Sequence, residues 1–166
     1  MGRLAELPLA EYLAVSENSV SGLVWIKHPG GRHAKVGGAA LCGVNSTGYY
    51  NGKLKGVSLL AHRVVYYLAH GTEPEVVDHV DRDPMNNHPD NLRAATKQQN
   101  AFNSIGHADN LTGYKGVTRA GKKYQAVLCF RGVNRYLGRF PTAAKAHAAY
   151  LQAAMEVHGE FFNSGN

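Results

Sequence analysis

The chain has 166 residues, 44% of them hydrophobic, and a net charge of +6; that length allows one larger domain or two small ones. No apolar run approaches the roughly 20 residues that cross a bilayer, and Cys42 and Cys129, the only cysteines, exclude a cysteine-rich zinc centre. The opening MGRLAELPLAEYL has neither a signal-peptide core nor an N-myristoylation pattern, so a reducing cytoplasm is expected, with no membrane partner and no secretion signal.

Residues 1–20 predict a short helix carrying Leu4, Leu7, Tyr12, Leu13 and Val15, with Pro8 tolerated only in its first turn. Residues 22–61 read as strands and turns. Leu23 to Ile26 is a short apolar run, and the stretch from Ser46 to Gly52, including Asn51-Gly52, reads as the punctuation of a hairpin. Lys27, Arg32 and Lys35 read as solvated loop charges, and His28 and His33 as surface residues. From His62 to Gly71 the apolar positions Val64, Val65, Leu68 and Ala69 share one side of a helix, with Gly71 after its last turn. For His62 and Arg63, contact with DNA, a place in an active site and structural hydrogen bonding all stay open.

The organising stretch is 76–103, VVDHVDRDPMNNHPDNLRAATKQQNAFN. Val76 to His79 predicts a strand, and Asp81 to Asp90 is turn material rich in Asp, Asn and Pro. Asn91 to Ala95 predicts an antiparallel return. Thr96 and Gln99 form a capping box, placing Asn100 early in the helix that follows. A linker is expected over 107–112.

From Gly113 the pattern changes to three short strands, Tyr114 to Thr118, Tyr124 to Arg131 and Arg135 to Phe140. A helix follows, with Thr142 as N-cap and an Ala-rich apolar stripe (Ala146, Ala149, Tyr150, Ala153, Ala154, Val157), ending at Gly159. The charge is uneven. Residues 1–106 carry 10 Lys/Arg against 9 Asp/Glu, whereas 107–166 carry 8 against 3. No acidic side chain lies between Asp109 and Glu156. Such a stretch suits a polyanionic partner, because phosphates release counterions when these groups neutralise them; a solubilising basic surface is the alternative.

Asp78 and the Asn100 amide supply oxygen donors of the kind a hard divalent cation takes. His79 has the side chain that works as a general base near neutral pH. An Asp-His pair on its own equally describes a surface loop or a satisfied structural histidine. The spacing narrows the choice. Asp78-His79, Asn91-Leu92 and Asn100, preceded by Leu60-Ala61-His62-Arg63-Val64-Val65, resembles the HNH endonucleases of phages and introns, in the variant whose third letter is Asn. The resemblance covers about residues 22–105. It implies a ββα-metal nuclease in which Asp78 and Asn100 bind one Mg²⁺ (or Mn²⁺) per active site, His79 is the general base and Asn91 holds the loop that carries it. Arg93 and Lys97 would contact phosphates. Asn87 and His88 read as structural or solvated, and the cysteine pairs of zinc-stapled members are lacking.

Residues 113–163 resemble the APETALA/ethylene-response-factor DNA-binding domain, through Tyr114-Lys115-Gly116-Val117, Tyr124-Gln125-Ala126 and Tyr136-Leu137-Gly138-Arg139-Phe140. Such domains lay a three-stranded sheet in the major groove. The matching sheet positions are Lys115, Thr118, Gln125, Asn134 and Tyr136, while Arg119, Arg131, Arg135 and Arg139 suit phosphate contacts. Thr118 and Tyr136 stand where plant members carry arginine and tryptophan, so a target sequence is not inherited.

The expected fold is therefore α+β: an HNH nuclease domain at 1–106 with its core motif at 76–103, and a small three-stranded antiparallel sheet with one packed helix at 113–166. The expected function is that of a homing-type DNA endonuclease hydrolysing phosphodiester bonds in double-stranded DNA, with no small-molecule cofactor. If phage-encoded, it would act in the host cytoplasm. The alternative is a non-catalytic, sequence-specific DNA-binding protein with a degenerate nuclease fold.

Overall fold

A computed structural model describes residues 3–30, 34–103 and 110–162. The architecture is α+β, with small antiparallel sheets, and the chain divides into two compact units at Thr96/Lys97. The expected linker lies partly outside the described residues, at 107–109.

In the first unit, α1 (Leu9–Tyr12) runs directly into β1 (Leu13–Val15), which pairs antiparallel with β2 (Leu23–Trp25). The helix expected over 1–20 is thus confined to one turn. Pro8 stands at its N-cap, and the apolar residues beyond Tyr12 gain more from strand pairing and burial than from a second helical turn. Next come β3 (Gly43–Val44), β4 (Tyr50–Leu54) and β5 (Val57–Leu60), ordered β3-β4-β5. Asn51-Gly52, expected in a turn, lies inside β4 opposite Leu60 and Leu59. A Cβ on Gly52 would stand 2.8 Å from the Leu41 Cα, so that glycine serves close packing. The hairpin turn falls at Lys55-Gly56, whose φ values of 48° and 81° suit the right-handed twist of its strands.

Helix α2 (Ala61–His70) follows β5 and ends on Gly71 at φ 69°. Its buried face is Ala61, His62, Val64, Val65 and Tyr66, while Leu68 is half-buried and Ala69 exposed. Arg63 pins this helix to the next segment by donating to the Glu73 carboxylate and to the Pro74 and Glu75 carbonyls. The core gathers Leu9, Leu13, Leu23, Leu54, Val64 and Val65 at full burial. Against it lies the hairpin of β6 (Val76–His79) and β7 (Leu92–Ala95), paired from Val76↔Ala95 to His79↔Leu92.

The second unit opens with α3 (Lys97–Asn103), which puts Thr96 at its N-cap position. β8 (Val117–Ala120), β9 (Lys123–Phe130) and β10 (Val133–Phe140) form an antiparallel sheet with β9 central. α4 (Ala143–His158) packs on one face of it through Ala146, Tyr150, Ala153 and Ala154, against Val117, Ala126 and Leu128. The Thr142 hydroxyl accepts the Lys145 N–H at 3.2 Å and caps this helix. No helix among the described residues is long and apolar enough to cross a membrane.

Candidate functional site

Asp78 and His79 close β6, and both are buried, at 4% and 5% exposure. Alternation along a strand points them to opposite sides. Asp78 meets its cross-strand partner Arg93, whose Nε and Nη2 each lie 2.8 Å from Asp78 Oδ2. His79 instead enters a cluster of rings: its centroid lies 5.1 Å from His62 and 5.8 Å from Tyr49, and those two are 5.0 Å apart.

The tautomer of His79 follows from its hydrogen-bond chain. Asn87 is 3% exposed, and its Nδ2 donates to the Ser21 carbonyl at 2.9 Å. A carbonyl only accepts, so the amide orientation is settled, and Oδ1 must face His79 Nε2 at 3.0 Å. Neutral His79 therefore carries its proton on Nε2, which leaves its basic lone pair on Nδ1. Gly22 makes this contact possible: with φ +80°, a Cβ there would stand 3.0 Å from the Asn87 carbonyl oxygen.

The loop between β6 and β7 is held by its own polar side chains. Asp81 Oδ1 accepts the Asp83 N–H and the Asn91 amide, and its Oδ2 accepts the Asn86 amide. Asn91 also donates to the Asn86 carbonyl at 2.8 Å and accepts the Asp81 N–H at 3.0 Å. Partial burial works to raise the Asp81 pKa, but these hydrogen bonds, with His79 nearby, outweigh it and hold the carboxyl below its ordinary value.

His62 is the group most altered by its surroundings. Burial first, then His79 and the Arg63 charge, push its pKa down from 6.5 to about 3. Its Nδ1 is buried without a hydrogen-bond partner. The imidazole therefore stays neutral in the folded chain while the unfolded chain takes up a proton below 6.5. The first unit is accordingly expected to lose stability as pH falls from about 6.5 toward 3, at up to about 1.4 kcal/mol per pH unit. Urea unfolding at pH 7 and pH 5 measures this, and His62→Phe should flatten the dependence.

Asn100 and Lys97 are exposed on α3, in the second unit. Among the described residues no three His, Cys, Asp or Glu side chains gather into a metal cage. The donor chemistry still fits a hard cation: Asp78 is a buried carboxylate whose position already accepts a positive group, the Arg93 guanidinium.

In the second unit the strand register sorts the expected DNA-contacting residues. Thr118, Gln125 and Arg139 form one row across the three strands, Cys129 pairs with Asn134, and Val127 with Tyr136. By alternation these lie on the sheet face away from α4, where Tyr136 is 59% exposed. A register shift between Tyr136 and Gly138 lets Leu137 turn into the core. Arg119 and Arg135, exposed, pair with Tyr124 and Leu128, which belong to the helix side. Arg131 occupies the β9–β10 turn at φ 51°, its guanidinium 5.1 Å from the Phe130 ring centre. Lys115 is half-buried, and its carbonyl accepts from His147 Nδ1 at 3.2 Å.

Sequence reasoning missed Asn87 as the partner of His79, together with Ser21 and Tyr49. Only the long-range packing of 15–25 against the 80–91 loop brings Ser21 to Asn87, and no local pattern signals it. The Asn86-Asn87 pair was visible, but as turn chemistry.

Residues 59–102 match the protein family described as HNH endonuclease. A curated relative, an uncharacterised HNH endonuclease of Acanthamoeba polyphaga mimivirus, is 36% identical over 104 residues, which is 60% of this chain and 54% of that protein. The chain thus spans about half the length of that relative. No solved structure matches the chain significantly.

Proposed function

We propose that this chain is a metal-dependent DNA endonuclease of the homing HNH type, hydrolysing phosphodiester bonds and nicking or cutting double-stranded DNA. The observation that carries the reading is the Asn87–His79 hydrogen bond beside the buried Asp78, inside the segment 59–102 that matches the HNH endonuclease family, with Asn87 oriented from outside that segment by the Ser21 carbonyl. In this reading His79 Nδ1 takes the proton of the attacking water, and Asn87 keeps the ring oriented and its other proton in place. Asn91 holds the loop between the strands. Asp78 supplies a carboxylate oxygen and Asn100 an amide oxygen to one Mg²⁺ or Mn²⁺. When bound, such a cation neutralises charge on the phosphate and its leaving oxygen.

The sheet of the second unit is the proposed DNA-reading surface, in the manner of APETALA/ethylene-response-factor domains. Thr118, Gln125, Asn134 and Tyr136, with Lys115 just ahead of β8, face the base edges. Arg131 and Arg139, with Lys97, contact phosphates and set register, while Arg119 and Arg135, directed to the helix side, reach phosphates around the edge strands β8 and β10. The uneven charge of the chain supports this assignment.

Supercoiled plasmid incubated with Mg²⁺ or Mn²⁺ tests the activity: relaxed or linear product is expected, and it should vanish with chelator. DNA binding with no cleavage under either metal assigns the chain to the non-catalytic alternative. The binding face has its own test. Arg139→Gln should lower affinity uniformly across sequences and reduce the salt slope by about 1. Tyr136→Ala should leave that slope unchanged while eroding discrimination between sites; equal slopes for wild type and Arg139→Gln would remove Arg139 from the interface.

A further inference from the structure

Asp78 and Arg93 face each other across β6 and β7, and the carboxylate is almost wholly buried. A carboxylate taken out of water needs a compensating charge, and here the guanidinium supplies it. Its Nε and Nη2 both converge on one oxygen, Oδ2, at 2.8 Å. A divalent cation arriving at Asp78 would meet the guanidinium as a like charge at contact range, where little water screens the repulsion. Arginine is also the side chain best matched to a phosphate.

We propose that Arg93 is an exchangeable counter-ion: it neutralises Asp78 in the metal-free chain, leaves Oδ2 when a divalent cation binds there, and turns its guanidinium to a phosphate of the DNA. The inference deepens the nuclease reading above and rests on it. Cation and DNA then favour each other, because the DNA stabilises the displaced arginine and the cation frees it. By linkage the coupling is reciprocal.

The direct test is Mn²⁺ binding without DNA, followed by the EPR signal of the free ion. Arg93→Met removes the competing charge while keeping an apolar stem, and should bind Mn²⁺ about tenfold more tightly than wild type, within the usual range of coupling between two ligands. Arg93→Lys retains the charge and should stay within about threefold of wild type, and Asp78→Asn should abolish binding. A Met variant that binds no tighter than wild type, or no binding by either, overturns the exchange. Because the Met variant leaves Asp78 without its partner and can fail to fold, the unmutated protein supplies a second readout. The Arg93 Nε–H resonance should shift on addition of Mg²⁺ and titrate with the midpoint of metal binding. A resonance unmoved at saturating Mg²⁺ equally overturns the proposal. The outcomes separate the two claims: wild type that cleaves plasmid while Arg93→Met binds no tighter sinks the exchange alone, whereas exchange without cleavage sinks the nuclease reading.

Discussion

Replacing His79 with alanine is expected to lower metal-dependent cleavage by about 10²–10⁴-fold, the usual worth of a positioned general base, while DNA affinity measured by gel shift stays near wild type. The tautomer of the ring is fixed by its neighbours. The Ser21 carbonyl orients the Asn87 amide, and that amide keeps the proton on Nε2, so the base strength of the side chain is concentrated at Nδ1. Alanine removes the base and leaves a gap beside His62 and Tyr49, with which the ring is in contact. Thermal melts of the variant must accompany the assay, since a cavity of this kind costs stability as well. Asn87→Ala should show the complementary pattern. It leaves the Ser21 carbonyl and the His79 ring nitrogen buried without their partner, at about 1–3 kcal/mol each, and it lowers cleavage less than loss of the imidazole itself. Cleavage by His79→Ala at wild-type rate would remove His79 from the chemistry.

The second large effect is expected at Gly116. Its φ is +73°, and a Cβ built there would stand 2.1 Å from Tyr150 Cδ2. Tyr150 is buried in the core between α4 and the sheet, so the added methyl and the ring compete for the same space. Gly116→Ala combines overpacking of about 1–3 kcal/mol with the left-handed backbone penalty of about 1–2 kcal/mol. For a unit of this size that is a large share of its total stability. The expected result is a lower melting temperature of the second unit, accompanied by weaker DNA binding. Gly121→Ala is the control: its φ is +63° but nothing lies within 4 Å of the added Cβ, so only the backbone penalty applies. Equal melting temperatures for the two variants would show that Tyr150 yields freely.

Local chemistry made much of the fold legible. The hairpin of β6 and β7, the Thr142 cap and the alternation along β9 all follow from signals within a few residues, and each appears in the structure. Gly71 ends α2 as its place in the sequence suggested. What resisted reading depends on contacts distant in sequence. Leu13 to Val15 continued an apolar pattern that suited a helix, yet pairing with Leu23 to Trp25 turned it into a strand. Asn51-Gly52 carried the strongest turn signature in its region, but Leu41, pressed against Gly52, holds it in β4. In the candidate site Asp78, His79 and Asn91 were visible through their spacing. Asn87 was visible only as loop material, because its two partners, His79 and Ser21, meet it through tertiary packing.

The bond from Asn87 to the Ser21 carbonyl has a consequence for how the molecule fails. Ser21 is fully buried, its hydroxyl donates to the Ala40 carbonyl, and it sits at the turn leading into β2. The loop beside His79 is therefore fastened to the same unit that holds the main core, and it is expected to open together with that unit. Amide hydrogens of Asn87 and His79 should exchange only through opening of the whole unit, with the slow rates of core strands. On heating, loss of order in this loop should then coincide with global unfolding of that unit, with no interval in which the fold persists and the loop beside His79 has already come undone.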